Sequence, residues 1–267
     1  MKQDFNYLNW HKDHAKAWRI MPPPARPSMG EVSIFEKYLQ KYFQENGNKI
    51  KVLILGATPE FRDLCNRDGF DVTCIDINKP IYESLTLLQK SVNGKEKFIN
   101  ANWLTFKSKQ RFDVIIGDVP TAMFPTRFYK QFFQNMTNHL VKGGQLIIRV
   151  PYQNPECNLP PKAVFQNYRN IYKKRGFDIY TATFTFLALH YLNKSKSGVS
   201  LSLIYDRIKD LYDQKVILKS EFEESKKYYE NLTLWLYYPT EKFLNNIIKQ
   251  CFTIEAKEFS LDYPLST

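Results

Sequence analysis

Cysteine is scarce, and its spacing does not suggest a metal site or a disulfide framework. The chain has 267 residues but only four cysteines. They occur without the close pairs that zinc sites use, at Cys65, Cys74, Cys157 and Cys251. Reduced, buried thiols in a cytoplasmic protein are therefore favoured over disulfides or a zinc centre.

Long apolar runs are also absent. No stretch of about 18 apolar residues occurs, so we expect no membrane-spanning helix. The first residues, Met1–Tyr7, lack the apolar core of a secretion signal, which again favours the cytoplasm. Neither a Gly-x-Ser-x-Gly elbow nor a Walker loop is present, which excludes hydrolases and nucleoside triphosphatases of those types.

The positive charge is large but dispersed. The formal net charge is +11 at neutral pH, and a cluster of such charge would favour nucleic acid or acidic ligands. Here most of it is lysine spread along the chain. We therefore disfavour a nucleic-acid partner, and the sequence leaves the oligomeric state open.

What the sequence does contain is a buried strand that ends at a glycine and leads into a helix. The stretch is Lys49–Glu60, whose apolar run stops at Gly56. Thr58 and Pro59 then suit the cap and the first position of a helix. Backbone N–H groups at such a turn can approach a polar ligand. Further along, Asp76 closes a second apolar run, where its carboxylate can accept hydrogen bonds from ribose hydroxyls. The two features predict a site for an adenosine-containing cofactor.

Strand and helix patterns alternate through the first half of the chain. Predicted strands are Ile50–Leu55, Asp71–Ile75, Lys97–Asn100, Phe112–Asp118 and Gln145–Val150. Predicted helices are Glu31–Glu45, Glu60–Arg67, Ile81–Ser91 and Phe128–Leu140, the first with a capping box from Ser28 to Glu31. This alternation predicts an α/β fold with a mostly parallel sheet and flanking helices.

The segments outside this pattern predict an arm and an insertion. Residues 1–30, rich in proline, form either an arm on the domain surface or a lid over a pocket. Residues 31–151 and 236–267 form the cofactor-binding domain. Between them, residues 152–235 are predicted to form a helical insertion that caps the substrate after strand five. Its predicted helices are Lys162–Lys174, Thr183–Leu192, Leu201–Tyr212 and Glu221–Tyr229, with a strand over Phe177–Tyr191 as the alternative. The last part predicts a helix at Glu241–Gln250, capped by Thr240, and a strand at Phe252–Phe259.

Five landmarks together resemble the class I S-adenosylmethionine-dependent methyltransferases. They are Val52–Thr58 as the first glycine loop, Asp76 after strand two, Asn102-Trp103 after strand three, Gly117-Asp118 after strand four, and Leu140–Ile148 as the Leu-Lys-Pro-Gly-Gly-like turn into strand five. The last is the most discriminating, because nicotinamide dehydrogenases do not usually carry it. The resemblance covers residues 50–151 well and 239–260 loosely, and it implies a Rossmann-like fold.

The glycine loop departs from the usual Gly-x-Gly-x-Gly pattern of that family. Thr58 and Glu60 replace the second and third glycines, and Ile54 replaces a common acidic residue. A subgroup with a Leu-Gly-x-Thr-Pro-Glu loop is similar, and it also carries an N-terminal Trp/Arg segment that ends as Arg26–Ser28 does here. The similarity to that subgroup implies a small-molecule methyltransferase.

The resemblance implies S-adenosyl-L-methionine as the cofactor and a set of residues that bind it. These are Gly56, Ala57, Thr58, Asp76, Ile77, Asn102, Trp103 and Asp118. Gly56 would let the backbone approach the cofactor, and Asp76 would bind the ribose. Asn102 would meet the adenine edge, with Trp103 either on or beside the ring or part of the core.

Candidate catalytic and substrate residues complete the predicted site. Asp118 would either hold the cofactor's ammonium or accept a substrate proton, and His14 is a second proton acceptor. A metal site at His14 lacks further ligands, so none is predicted. Trp18, Arg19 and Arg26 would contact the substrate, with a surface role as the alternative.

The predicted function is methyl transfer to nitrogen or oxygen of a small molecule, with S-adenosylhomocysteine as product. The positive charge motivates an alternative, an RNA-modifying methyltransferase. The loss of acidity at Ile54 motivates another, a non-catalytic nucleotide-binding or scaffold domain.

Overall fold

A five-stranded parallel sheet forms the centre of the molecule. The structure is a computed structural model that describes residues 14–47, 49–92, 94–153, 159–183, 198–230 and 234–263. The strands are β1 (Lys51–Leu55), β2 (Asp71–Asp76), β3 (Lys97–Asn100), β4 (Phe112–Gly117) and β5 (Leu140–Ile148). Their spatial order is β3-β2-β1-β4-β5, and every neighbouring pair is parallel. The Rossmann-like α/β fold predicted from the sequence is thus confirmed.

Helices cover both faces of the sheet. They are α1 (His14–Ile20), α2 (Met29–Asn46), α3 (Pro59–Arg67), α4 (Lys79–Thr86), α5 (Tyr129–His139), α6 (Pro161–Asn167), α7 (Ile179–Thr183), α8 (Leu201–Asp213), α9 (Lys219–Tyr229) and α10 (Glu241–Ile248). Helices α2 and α3 pack on one face through Phe35 and Phe61. Helices α5 and α10 pack on the other through Phe132 and Leu244. β1 and β4 are buried on both faces, which explains their near-continuous apolar sequences.

The predicted capping box at the start of α2 is present. The Ser28 side chain accepts a hydrogen bond from the Glu31 N–H, and the Glu31 carboxylate accepts one from the Ser28 N–H at 2.8 Å. Both helix-end donors are therefore satisfied within the chain.

Two adjacent positions near the start of β5, Gly143 and Gly144, each require glycine for a different reason. Gly143 has a φ of +79°, which favours glycine, and a Cβ on Gly144 would lie 2.9 Å from the Asp113 carbonyl oxygen. The strand was predicted over Gln145–Val150 but begins at Leu140, because Leu140 already pairs with Phe112 before the turn. It ends at Ile148.

The strand predicted at Phe252–Phe259 is wrong. These residues are neither strand nor helix. Side-chain contacts hold the segment instead, with Lys257 pairing with Glu241 and Glu258 accepting from Lys37 at 2.6 Å. Its apolar residues Ile254 and Phe259 remain about 40% exposed (38% and 41%), so the alternating pattern buries no face against a sheet.

The segment after β5 is largely helical and has its own apolar core. The helix predicted at Lys162–Lys174 forms as α6 continued by π and 3₁₀ turns to Arg175. Those predicted at Leu201–Tyr212 and Glu221–Tyr229 form as α8 and α9. The helix predicted at Thr183–Leu192 lies outside the described residues after Thr183, where α7 ends.

Short pairings tie this segment to itself and to the sheet domain. A two-stranded antiparallel ribbon joins β6 (Val199–Ser200) to β7 (Trp235–Leu236). Where the chain leaves and rejoins the sheet domain, Gln153 pairs with Thr240, and the Gln153 N–H donates to the Pro239 carbonyl at 2.8 Å. Within the described ranges, no helix is both long and apolar enough to cross a membrane.

Candidate functional site

The turn after β1 brings bare backbone to the carboxyl edge of the sheet. Gly56 has a φ of +99°, and its N–H donates to the Ile75 carbonyl at 2.8 Å. A Cβ placed on Gly56 would lie 3.7 Å from Trp103 Cζ2 and 3.9 Å from Asp76 Oδ2. The side chains of Asp76 and Trp103 therefore flank the glycine, and all three predicted binding residues come together.

Asp76 presents a carboxylate oxygen beside this turn. Its Oδ1 accepts a hydrogen bond from the Asn78 N–H at 2.7 Å, whereas its Oδ2 faces Gly56. Burial raises the pKa of Asp76 to about 6, and the N–H groups of Asn78 and Ile77 partly oppose that rise. Ile77, which follows it, is an exposed apolar side chain.

The residues after β3 lie next to Gly56 and Asp76 at the candidate site. The Trp103 indole N–H donates to the Ile75 carbonyl at 2.8 Å, so the ring is fixed to the end of β2. Asn102 Oδ1 accepts from the Leu104 N–H at 2.8 Å. Its amide nitrogen is left as the side-chain donor that can serve a ligand.

Thr58 and Ala57 complete the turn into α3. Both are buried, and Pro59 takes the first position of the helix, as predicted. The Thr58 side chain does not cap the helix. Its hydroxyl is therefore not committed to the helix end.

The N-terminal arm lies over this turn. Trp18 is buried in a cluster with Ala57, Ile81 and Leu85. Its indole N–H donates to both carboxylate oxygens of Glu60, at 3.1 and 3.2 Å. The arm thus contacts the loop that was predicted to bind the cofactor.

Of the other arm residues predicted for the site, Arg26 lies near the loop and Arg19 is exposed to solvent. Arg26 Nη1 lies 3.7 Å from Glu60 Oε1, whereas Arg19 lies at the end of α1. His14 begins α1, but its side chain lies outside the described part of the structure. In the described ranges, no three His, Cys, Asp or Glu side chains are grouped so that they could hold a metal ion.

A buried arginine organises the other half of the edge. Arg149 follows β5, and its Nε donates to Asp118 Oδ1 at 2.7 Å. Its Nη1 lies 3.2 Å from Glu31 Oε2, and its Nη2 donates to the Pro24 carbonyl at 2.9 Å. Tyr263 donates to the same Glu31 at 2.7 Å. Three other parts of the chain, at residues 24–31, 118 and 263, therefore meet around Arg149.

Two buried carboxylates share this one guanidinium. Burial raises the pKa of Asp118 to about 6; Arg149 opposes the rise, whereas the charges of Glu31 and Glu60 add to it. Burial alone would lower the pKa of Arg149, but Asp118 and Glu31 raise it overall. With all three ionised, the cluster has one more negative than positive charge.

The chain is strained immediately after Asp118. Val119 has a φ of +44°, in the left-handed region that β-branched residues strongly avoid. Such strain is concentrated at functional sites, where the surrounding structure holds it in place. Here the strained residue lies between Asp118 and Pro120, two positions after the end of β4.

Sequence reasoning did not identify Arg149, Glu31 or Glu60 as site residues. Arg149 had a detectable signal, because it is a charged residue that closes an apolar strand, as Asp76 and Asp118 do. Glu31 was interpreted only as part of the capping box, yet it also pairs with Arg149. Glu60 was noted only as the residue that stands in place of the third glycine of the loop.

Comparisons with known proteins concern the fold. No family model matches the chain, and no curated protein matches it. A protein provisionally named a Zn-dependent alcohol dehydrogenase, from Rhodobacter sphaeroides, aligns with a TM-score of 0.55 and 15% identity over 90% of this chain and 85% of that one. The PH0226 protein from Pyrococcus horikoshii OT3 aligns with a TM-score of 0.50 and 16% identity over 93% and 94%. What they share with this chain is the fold.

A third solved structure is named as a methyltransferase. The glycopeptide N-methyltransferase MtfA aligns with a TM-score of 0.39 and 11% identity over 51% of this chain. The alignment spans 60% of MtfA, less than two thirds of its length. MtfA has also been solved with S-adenosyl-L-methionine.

The strand order of this fold marks the edge of the sheet where such folds bind ligands. In open parallel sheets, ligands bind beyond the carboxyl ends of the strands, where the strand order reverses. Here the chain proceeds outward from β1 to β2 and β3, then returns to place β4 on the other side of β1. Leu55 and Gly117 pair at that reversal, so the Gly56 turn and Asp118 lie on its two sides.

Proposed function

We propose that this chain is an S-adenosyl-L-methionine-dependent methyltransferase that transfers a methyl group to nitrogen or oxygen of a small molecule. The observation that carries the proposal is the arrangement of Gly56, Asp76 and Trp103 at the strand-order reversal. It offers close backbone, a carboxylate acceptor and an aromatic wall at one point. The resemblance of the loop and of the turn into β5 to this family supports the same proposal.

The residues present fit the nucleoside half of this cofactor. Asp76 Oδ2 beside Gly56 suits the adjacent hydroxyls of a ribose, which donate hydrogen bonds. The Asn102 amide nitrogen suits an acceptor nitrogen of adenine. Ile77 and Trp103 offer apolar surface for the base.

The residues also fit its charged half. The sulfonium and the ammonium are cations, and the cluster around Arg149 has one carboxylate more than it has guanidinium groups. A buried excess charge is costly unless it is paired. A cation bound near Asp118 would therefore balance the site.

When bound, the cofactor supplies a methyl carbon that is already electrophilic, so the chain chiefly positions the acceptor and excludes water. The contacts of Trp18 and of the Pro24 carbonyl hold the N-terminal arm over the carboxyl edge of the sheet. The Tyr263 contact holds the C-terminal segment at the same edge. In this proposal, both segments limit the access of water. Asp118 and His14 are the proposed proton acceptors. For Asp118, a pKa of about 6 leaves the carboxylate ionised at neutral pH and able to take a proton. Arg19 is retained as a proposed substrate contact.

A small acceptor is proposed because the N-terminal arm and Tyr263 contact residues at this edge of the sheet. The cytoplasm remains part of the proposal, on the sequence features given above. The predicted RNA substrate stays the alternative, and it requires RNA binding that weakens steeply with salt. The predicted scaffold role requires that no labelled methyl group is transferred to any acceptor.

Calorimetry with S-adenosylhomocysteine tests the proposal. We expect binding at micromolar ligand, and we expect Asp76→Asn to weaken it by about 1–3 kcal/mol through lost charge-assisted hydrogen bonds. Asp71→Asn is the matched control, since Asp71 lies at the opposite end of β2 in an exposed pair with Lys97 at 3.1 Å. Absence of binding to the unmodified protein would refute the cofactor assignment. Equal affinity of the Asp76 variant would remove Asp76 from the site.

A further inference from the structure

Glu60 is a partly buried carboxylate at the edge of the proposed cofactor site. It lies in the first turn of α3, directly after the Gly56 loop, and its side chain is 20% exposed. Burial raises the pKa of Glu60, and the hydrogen bonds from its own backbone N–H and from Trp18, together with the charge of Arg26, oppose that rise. Its charge in turn contributes to raising the pKa of Asp118, so the two carboxylates are close enough to interact.

Trp18 fixes the orientation of this carboxylate. Its indole N–H is shared between Oε1 and Oε2 at nearly equal distances, so it binds between the two oxygens. A carboxylate oxygen has two lone-pair directions. The Trp18 indole and the backbone N–H of Glu60 do not fill all of these directions, so the carboxylate keeps capacity for a further donor.

Arg26 lies beside Glu60 and remains partly open to solvent. The closest approach is 3.7 Å, and the Arg26 side chain is 35% exposed. That distance is longer than a direct hydrogen bond. The guanidinium and the carboxylate thus lie side by side without the short bidentate contact that Arg–carboxylate pairs usually form.

A guanidinium beside a carboxylate is the complement of an α-amino acid. An amino acid carries an ammonium and a carboxylate on one carbon, so a matching site needs an acceptor and a planar donor next to each other. The loop itself offers no other charge, since residues 55–59 are all uncharged. Ile54, where the family commonly has an acidic residue, is apolar and fully buried within β1. The Thr58 hydroxyl, which does not cap α3, lies two residues before Glu60.

We infer that Glu60 and Arg26 bind the amino-acid end of the cofactor, with Glu60 pairing with its ammonium, Arg26 with its carboxylate, and Trp18 positioning Glu60. The inference rests on the proposed function. It assigns two residues of the arm, Trp18 and Arg26, to the cofactor instead of the substrate. It also places the ammonium at Glu60, which leaves Asp118 beside the sulfonium and as the proposed proton acceptor. Cofactor binding then strengthens the contact between the arm and the loop.

The same contacts would also form if Glu60 only held the N-terminal arm on the loop. The test must therefore separate this structural role from cofactor binding. We would measure binding of two ligands by calorimetry: S-adenosylhomocysteine, which has the amino-acid end, and 5′-methylthioadenosine, which lacks it. The variants are Glu60→Gln, which keeps an acceptor for Trp18, and Arg26→Gln on the partly exposed arm. Glu83→Gln is the matched control, because Glu83 lies in an exposed pair with Lys79 at 3.5 Å.

We expect each site variant to weaken S-adenosylhomocysteine binding about ten- to hundred-fold, as for the loss of a charged hydrogen bond. Binding of 5′-methylthioadenosine is expected to change by less than about two-fold, since that ligand does not reach the pair. The Glu83 variant is expected to match the unmodified protein with both ligands.

Two results would overturn the inference while leaving the proposed function intact. One is an equal loss for both ligands, which would mean that the pair only holds the arm on the loop. The other is unchanged affinity of both site variants for S-adenosylhomocysteine. If the unmodified protein binds neither ligand, the proposed function itself fails, and the assignment of Glu60 and Arg26 fails with it.

Discussion

The two halves of the carboxyl edge are built on different principles. On the β1–β2 side, Gly56 and Asp76 rely on backbone partners, and the carboxylate has no cation in direct contact among the described residues. On the β4–β5 side, Asp118 and Glu31 are held by Arg149 in a buried charge cluster. The first half depends on the shape of the backbone, whereas the second depends on the balance of charge.

The difference predicts opposite responses to removal of charge. A buried ion pair is weak evidence for stability, but removing one partner leaves the other charge uncompensated and is strongly destabilising. A partly buried carboxylate with no cation in direct contact, as Asp76 is among the described residues, is instead a cost to the folded state that is retained when a ligand needs it. Substitutions on the two sides can therefore test whether the halves differ as described.

The largest effect is expected from Arg149→Met. This change leaves Asp118 and Glu31 buried without their shared cation, so we expect the free energy of unfolding to fall by about 3–5 kcal/mol. Urea unfolding at neutral pH measures it. Arg207→Met is the control, because Arg207 and Asp210 form an exposed pair worth about 0–1 kcal/mol. A loss for Arg149→Met as small as that of the control would mean that the cluster is not held by charge.

An intermediate effect of opposite sign is expected from Asp76→Asn. The folded-state pKa of about 6 lies above the ordinary value of 3.8, so the folded protein binds a proton more tightly than the unfolded chain does. Stability from this group is therefore lost as the pH rises from about 4 to about 6 and stays lower above that. At neutral pH the variant should be more stable by about 1–3 kcal/mol.

The pH dependence provides the check on Asp76. The two unfolding curves should converge below the ordinary pKa, where the carboxyl group is protonated in both states. Asp118 and Glu60 also titrate near this edge, but they are present in both proteins and cancel in the difference. A variant that is less stable than the unmodified protein at neutral pH would contradict the picture of an uncompensated carboxylate.

The smallest effect is expected from Gly56→Ala. A Cβ there would meet nothing closer than 3.7 Å, so the cost comes from the backbone alone and is about 1–2 kcal/mol. Gly143→Ala is a matched control, since Gly143 also has a positive φ of 79° and has open space around it. We expect similar losses of stability by thermal unfolding, with weaker S-adenosylhomocysteine binding only for Gly56→Ala. If both variants changed S-adenosylhomocysteine binding equally, the Gly56 turn would not be part of the binding site.

Local sequence signals predicted most of the sheet domain. The apolar runs of β1, β2 and β4 are buried as expected, because a strand covered on both faces needs apolar side chains throughout. The capping box at Ser28 and Glu31 also forms, since it involves residues only three apart. Features of this kind are set by neighbours in the chain and can be read from it.

Long-range contacts were not predictable in the same way. Arg149 meets Glu31 and Pro24 across more than a hundred positions of sequence, and no local pattern specifies such partners. The segment Phe252–Phe259 shows the converse, because its alternation indicates two faces but not whether a strand is available to pair with. The placement of Trp18 on Glu60 likewise depends on how the arm folds back over α3.

The parallel pairing of Gln153 with Thr240 has a consequence for how such a protein can diversify. Since the chain departs and returns at adjacent points, everything between them is topologically one long loop, and the entropy of closing a loop rises only slowly with its length. The residues between Gln153 and Thr240 can therefore be replaced by another segment without a change in how the strands of the sheet are connected. On the prediction that this stretch caps the acceptor, acceptor choice evolves independently of the residues at the carboxyl ends of the strands.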